Sequence, residues 1–533
     1  TPADKFVNLK VFSKGKSQSR GVKGGSRVEE RARRFMQMVF YDTDRQRKGV
    51  AEKMVNGLMR LTSWSFVAFN VTGNINNFVM GKVNNNIEYL GGRFIPRKVL
   101  MRATKEFNQQ VLPSIAKTTA YYVEDAIKGK YGGNVYNPNK PATKVDAIIS
   151  YFRIMDSMKE LQEAGSGAAG NGDGSKSFIA KALDWGYLLN ESFEYALQGK
   201  IGLGVVMDVN IKNSSTGEIV NLYDAYDFDN QELKLREGFD TIVDKNGNEK
   251  PYSDNFRFDL RTKAKSINQQ IHGNYAYSTR TLMEAQWYGR LAMQFHKWVG
   301  PAIRARMQRE YFDENLGWME GRYRSLFSFI NHLQKEVRKG NLQWGKIKGS
   351  FLEEQKKQVS FNAEQYAQNK LLGTYRTLGE LAIFAFTIGM KHLLLGLLSD
   401  EDDDSVIRRR LENMMIYQVD RTRKELSQFL PIPGLGGLTQ MKQMWESPIA
   451  ATGTLGKLGE ALDVTGKTGY YWLTRDSDGE FYENSKVVYQ NKPRKGELKL
   501  NKKWKDVIPL IYSIQKLRSF DERKEYYVGT GGN

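Results

Sequence analysis

The stretch that most constrains how this chain can fold runs from Leu378 to Phe429, LGELAIFAFTIGMKHLLLGLLSDEDDDSVIRRRLENMMIYQVDRTRKELSQF. It reads as an apolar helix, an acidic break and a basic amphipathic helix. Between Leu381 and Leu398 almost every residue is apolar; Lys391 and His392 interrupt the run, and Gly389 and Gly396 leave gaps where a second helix can approach. That length just crosses a hydrocarbon layer of about 30 Å. A Lys-His pair two-thirds of the way along opposes crossing, because a charge at a bilayer centre costs about 2–3 kcal/mol. Two readings follow: a helix buried in a large soluble core, or one that packs against protein in storage and enters a membrane on delivery. In the second, Leu381, Phe384, Phe386, Leu394 and Leu398 are the membrane-active residues.

The acidic break, Asp400 to Asp404, lacks the alternating ligands, Gly turn and distant Glu of a calcium loop. Its expected role is to cap the next helix, with Ser399 or an Asp at the N-terminus and negative charge matched to the helix dipole. In that helix Ile407, Leu411, Met414, Met415 and Leu426 form an apolar stripe, and Arg408, Arg409, Arg410, Arg421, Arg423 and Lys424 a basic face. Pro431 and the Gly-rich PIPGLGG end it.

Charge narrows the partners. The formal net charge is +20 and it sits mainly at the ends: residues 1–60 carry 15 Lys and Arg against 6 Asp and Glu, and residues 482–533 carry 12 against 6. Such a chain suits an anionic partner, whether nucleic acid, a membrane surface or an acidic protein. Cysteine is absent, so disulfides, thiolate metal sites and cysteine nucleophiles are excluded. The four histidines, His272, His296, His332 and His392, include no pair at ligand spacing, which argues against a zinc enzyme or a Ser-His-Asp hydrolase. No cofactor or metal is expected. A chain that starts at Thr1 and ends in GTGGN suits a processed product or a piece of something longer.

In order along the chain, residues 1–27 read as a flexible basic arm, with Lys14, Lys16, Arg20 and Lys23 spread among Gly and Ser. Residues 28–164 read as a helical domain, with helices over Val28–Thr62, Met101–Lys128 and Thr143–Ala164 and an Asn-rich apolar segment between the first two. Residues 165–176 form a Gly-rich linker, GSGAAGNGDG with its flanks. Its SKS tail approaches a phosphate-binding loop but puts Ser175 where a Gly is required, and a helix rather than a strand precedes it. Residues 177–372 read as a second helical domain, with helices over Phe178–Gln198, from Tyr277 and over Leu352–Leu372. Residues 373–430 hold the helix pair, and 431–533 a basic region with a short hairpin. Period-two patterning from about 201 to 262 marks an antiparallel β insertion, with turns at Ser214–Gly217 and Asn246-Gly247. A short β-rich patch is expected near 470–490. The fold class is therefore mainly α, an elongated multi-helix protein with small β additions.

Within the insertion, Asp227 and Asp229 are the candidate Mg²⁺ ligands for a nucleic-acid enzyme, with no triphosphate grip nearby. Arg304, Arg306 and Arg309, interleaved with Tyr311, Phe312, Trp318 and Tyr323, are candidates to grip a nucleic-acid strand by charge and stacking; a solvated helix face over an aromatic core is the alternative. Arg408, Arg409, Arg410, Lys502 and Lys503 extend the list of anion-binding candidates.

The segments RLENMMIYQVDRTRKELSQFLP, ESPIAATGTLGKLGEAL and KGELKLNKKWKDVIPLIYSIQKL, taken in order, resemble the C-terminal region of very large virion proteins of crAss-like tailed bacteriophages. NVTGNINNFVMGKVNNN has a similar flavour earlier in the chain. The resemblance spans about a quarter of the residues and is architectural. It implies a non-enzymatic cargo protein held in the capsid or tail interior and ejected with the genome into the host. Its partners would be portal, tail or further cargo proteins, genomic DNA and, during ejection, the host membrane. The alternative it leaves open is an accessory module of a virion-packaged RNA polymerase. The Asp-rich metal motif of that enzyme is missing here, since Asp227-Phe228-Asp229-Asn230 departs from it at the third carboxylate.

Overall fold

A computed structural model describes residues 70–113, 141–154, 178–244, 247–273, 299–397, 406–427, 450–473 and 497–507, with isolated positions at 54–62, 115 and 488–490. Of these, 68% are helical and 11% lie in strands, so the protein is mainly α with small antiparallel sheets. The basic arm, the Gly-rich linker, the aromatic helix expected from Tyr277 and the acidic break fall outside the described residues.

The centre of the fold is α1, Val71–Gly91. Asn70 caps it by accepting a hydrogen bond from the Gly73 amide at 2.9 Å, and Gly92, at φ 62°, ends it in the left-handed conformation that glycine adopts without strain. Its Asn-rich sequence is buried on several sides: Thr72, Asn74, Asn76, Asn85 and Glu88 are all inside. Five helices cover it, α2 (Arg97–Gln110), α4 (Phe178–Met207), α5 (Asp254–His272), α9 (Ala363–Leu397) and α10 (Val406–Ser427).

The largest core joins α2, α3 (Lys144–Tyr151), α4, α5 and the inner faces of the strands, around Phe107, Ile148, Ile201, Leu203, Ile211 and Tyr226. Residues on both sides of 165–176 share this core, so the expected linker does not separate two cores. The helix over Phe178–Gln198 extends to Met207, through GLGVVM, which reads locally as a strand. Tertiary packing overrides that local preference. A Cβ on Gly199 would lie 2.5 Å from Phe107 and one on Gly202 2.1 Å from Ile154, so the glycines let α2 and the end of α3 close onto α4.

The β insertion is correspondingly shorter than expected, from 210 to 251. Four of its six strands, β1 (Asn210–Asn213), β2 (Ile219–Asn221), β5 (Phe239–Val243) and β6 (Glu249–Pro251), form one antiparallel sheet in the order β2-β1-β5-β6. The β1–β2 turn is the one expected at Ser214–Gly217: the Asn213 side chain accepts from the Ser215 and Thr216 amides, and Gly217 sits at φ 72°. A separate hairpin, β3 (Tyr226–Asp229) and β4 (Glu232–Leu235), turns on Asn230 and Gln231, both at positive φ.

The second half builds on α9. Helix α7 (Arg322–Arg338), α8 (Trp344–Lys356) and β8 (Gly317–Met319) pack along its N-terminal part, and α6 (Val299–Met307) leans on α7. The segment from Tyr311 is not helical as far as α7; β7 (Tyr311–Asp313) and β8 make a hairpin there. Phe312 and Trp318 stack edge-on within it, and the Trp318 indole donates to the Phe361 carbonyl at 2.9 Å. Because α9 runs unbroken from Ala363, the expected boundary at 372/373 falls inside one helix. Of the β-rich patch expected near 470–490, residues 474–487 lie outside the described residues. Tyr470 to Leu473 close α11 (Ala450–Leu473), which packs on α12 (Lys499–Val507), and an antiparallel bridge joins Val488 to Leu498.

Gly202→Val drives a branched side chain into the stiff Ile154 and should cost about 1–3 kcal/mol, as overpacked cores do. Gly466→Ala, on an exposed face of α11 with nothing near its Cβ, should instead stabilise by about 0.5–1 kcal/mol. Urea denaturation midpoints of both variants check the pair.

Candidate functional site

Helix α9 has two different environments along its length. From Lys370 to Glu380 it is buried and polar; from Leu381 onward it is apolar and largely uncovered. Among the described residues it is the one helix long and apolar enough to cross a membrane, and only 33% of that apolar window is buried inside the protein. A soluble core helix of that composition is mostly buried. Here Phe386, Ile388 and Leu393 face outward, Phe386 at 65% exposure and Leu393 at 53%. The membrane-active candidates therefore divide. Phe386 is on the open face, Leu381 is half-buried, Phe384 and Leu394 are inside, and Leu398 lies outside the described residues. Phe384 packs with Val83 and Ile87 of α1 and Leu426 of α10.

The buried half is held by charge. Glu380, at 0% exposure, accepts from Arg306 at 2.6 Å and from Arg322 at 2.8 Å. One turn earlier Arg376 pairs with Glu88 of α1, and Lys370 lies 3.7 Å from Glu320. Thr374 and Thr377 donate to the Ser325 and Arg322 carbonyls of α7 at 3.2 and 2.8 Å. Gly373 allows that approach, since a Cβ there would stand 2.6 Å from the Ser325 hydroxyl. Buried ions of this kind are stable only when paired and hydrogen-bonded together.

The lysine that opposes membrane entry in the sequence has a partner. Lys391 donates to Asp420 of α10 at 3.0 Å, and Asp420 also takes Arg423 at 3.0 Å and Lys424 at 2.8 Å. Burial would raise the Asp420 carboxyl, but hydrogen bonds from Lys424, Lys391 and Arg423 outweigh it and hold the pKa at about 2. Sequence reading misses Asp420 and Glu380 as anchors. The available signal is that a charge inside an apolar helical run must find a partner when buried.

The basic candidates do not form one surface. Arg306 is a correction: α6 packs on α7 with Arg306 turned inward, where it donates to Glu380 and to the Ala302 carbonyl, so it is not open to a phosphate. Arg304 and Arg309 are exposed on either side of it. Tyr323, expected to stack with a strand, is fully buried. Arg408, Arg409 and Arg410 belong to the first turns of α10, a helix as expected; their side chains lie outside the described residues, as do Lys14, Lys16, Arg20 and Lys23. Lys502 and Lys503 are half-buried on α12, and Lys503 pairs with Glu460 of α11.

Asp227 and Asp229 occupy exposed positions of β3, opposite Lys234 and Glu232 respectively. Among the described residues no three His, Asp or Glu side chains converge as metal ligands. Comparison with protein-family models, curated proteins and solved structures finds no match to this chain.

Glu380→Gln strips two buried arginines of their carboxylate and should cost about 3–5 kcal/mol in chemical denaturation. For Asp420 the folded pKa is depressed from 3.8 to about 2. Its stabilisation is therefore complete above about pH 4 and is lost as pH falls toward 2. Acid-unfolding curves of the wild type and Asp420→Asn should differ at neutral pH and converge toward pH 2.

Proposed function

We propose that this chain is a non-enzymatic bacteriophage virion protein, carried as cargo in the capsid or tail and ejected with the genome, and that the α9–α10 hairpin enters the host envelope on delivery. The observation that carries the reading is the pairing of an open apolar face on α9 with a lysine bonded to a carboxylate of α10. A segment that brings a carboxylate partner for its lysine lowers the cost of about 2.5–3.5 kcal/mol for an isolated lysine at the bilayer centre, although Arg423 and Lys424 share that carboxylate. The basic run Arg408 to Arg410 at the start of α10 suits the anionic headgroup layer. The resemblance of segments in the C-terminal region, about a quarter of the residues, to crAss-like phage virion proteins supports the virion setting. In this reading the basic ends contact genomic DNA or the walls of the portal or tail channel, and the partners are other virion proteins.

Flotation with anionic liposomes at low and high salt tests the hairpin. Phe386→Asp with Leu393→Asp is the informative variant, because both residues are exposed and the fold does not need them. Wild-type protein should stay with the vesicles at high salt while the variant sinks. If both detach together as salt rises, the contact is electrostatic alone and the insertion reading is wrong.

A further inference from the structure

Lys82 of α1 and Lys200 of α4 are neighbours where Gly81 and Leu197 bring their helices together. A Cβ on Gly81 would lie 2.2 Å from Leu197 Cδ1, and Asn85 donates to the Leu197 carbonyl at 3.2 Å, so the two backbones are clamped together. Lys200 is 3% exposed and its ammonium has no hydrogen-bond acceptor. From α2 it faces the Phe107 ring, 5.6 Å from Nζ to centroid; α3 brings Ile149 to the neighbouring Gly199, and α5 brings Asn268 to the Gln198 carbonyl. On α4 itself Glu194 is bound by Gln198. Lys82, half-buried, lies 5.6 Å from the Phe78 ring. Among the described residues no carboxylate pairs with either lysine.

Two converging ammoniums with no carboxylate are an incomplete arrangement. A buried cation without a counter-ion either loses its proton or takes up an anion. We propose that Lys82 and Lys200 form a binding site for one dianionic oxyanion, a free or terminal phosphate group, at the α1–α4 crossing. One dianion balances both ammoniums. A carboxylate, or the singly charged phosphodiester of a nucleic-acid backbone, would leave one charge unmatched, and Lys82 gives the site its route to solvent. Burial, then a side-chain hydrogen bond with Lys82 and the Lys82 charge, lowers the empty Lys200 to about 7. Filling the site must restore that proton, so binding takes up a proton at higher pH.

The test is isothermal titration of the full chain with sulfate, a dianion whose charge is fixed across neutral pH, beside inorganic phosphate, acetate and an oligonucleotide lacking terminal phosphates. Sulfate and phosphate should bind saturably, acetate and the oligonucleotide at least about tenfold more weakly at this site. Sulfate affinity should fall about tenfold from pH 8 to pH 9, where each charged Lys200 requires a proton from solution. Lys200→Met and Lys82→Met should each abolish binding. Lys200→Met should fold at least as well as wild type, since it removes an unpaired buried charge at similar volume; if it does not fold, Lys82→Met alone decides. Sulfate also stabilises proteins by exclusion from their surfaces, an effect that does not saturate and that both variants keep. The proposal is overturned if sulfate shows only that effect, if acetate binds equally, or if the variants bind as wild type does.

Discussion

The second half of the molecule depends on one carboxylate. Glu380 has no contact with water and holds Arg306 of α6 and Arg322 of α7 at once. Removing an ion of this size from water costs several kcal/mol, which is recovered only when the pairing is close and complete. That requirement fixes α6, α7 and α9 relative to one another more sharply than apolar contacts can, because a slide of one turn would leave two guanidiniums unpaired. Arg376 carries the same logic across to α1 through Glu88, so the central helix is tied to α9 by charge as well as by Val83, Ile87 and Phe384.

The first half uses glycine for the same purpose. Gly81, Gly199 and Gly202 remove side chains where α1, α2 and α3 close on α4, and the approach is near enough that any Cβ would collide with Leu197, Phe107 or Ile154. Close crossing then decides what else is brought together. Lys82 and Lys200 face each other because the backbones beside them are clamped, not because the two amines attract.

Much of this was legible in the sequence, and the failures have physical causes. The mainly helical class, the α9–α10 pair and the Asn213–Gly217 turn follow from periodicity and from turn chemistry that acts within a few residues. GLGVVM was misread because β-branched residues and glycine favour a strand locally, while the helix there is imposed by neighbours distant in sequence. The short hairpin at Tyr311–Met319 was masked by its arginines and aromatics, which suit a helix face equally well. Arg306 was placed among surface cations because a buried arginine is written with the same letter as an exposed one. Only the position of Glu380, 74 residues later in the chain, tells them apart.

The same residues set a limit on how the hairpin could enter a bilayer. The apolar part of α9, Leu381 to Leu397, spans about 25 Å at 1.5 Å per residue, slightly less than a hydrocarbon core of about 30 Å. Its lower edge is Glu380, locked between two arginines that would have to be left behind or carried in, so the ion cluster is a natural stop. Lys391 lies inside the apolar stretch and cannot enter alone, and its bond to Asp420 obliges the middle of α10 to follow it or the pair to break. On the proposed mechanism, then, delivery separates α9–α10 from α1 at Val83, Ile87 and Phe384 while keeping the two helices of the hairpin together. The apolar α1 contacts are lost to water at one end of that exchange and regained against lipid at the other. The charged contacts at Glu380 have no equivalent in lipid, which is why they mark the boundary between the part that stays and the part that moves.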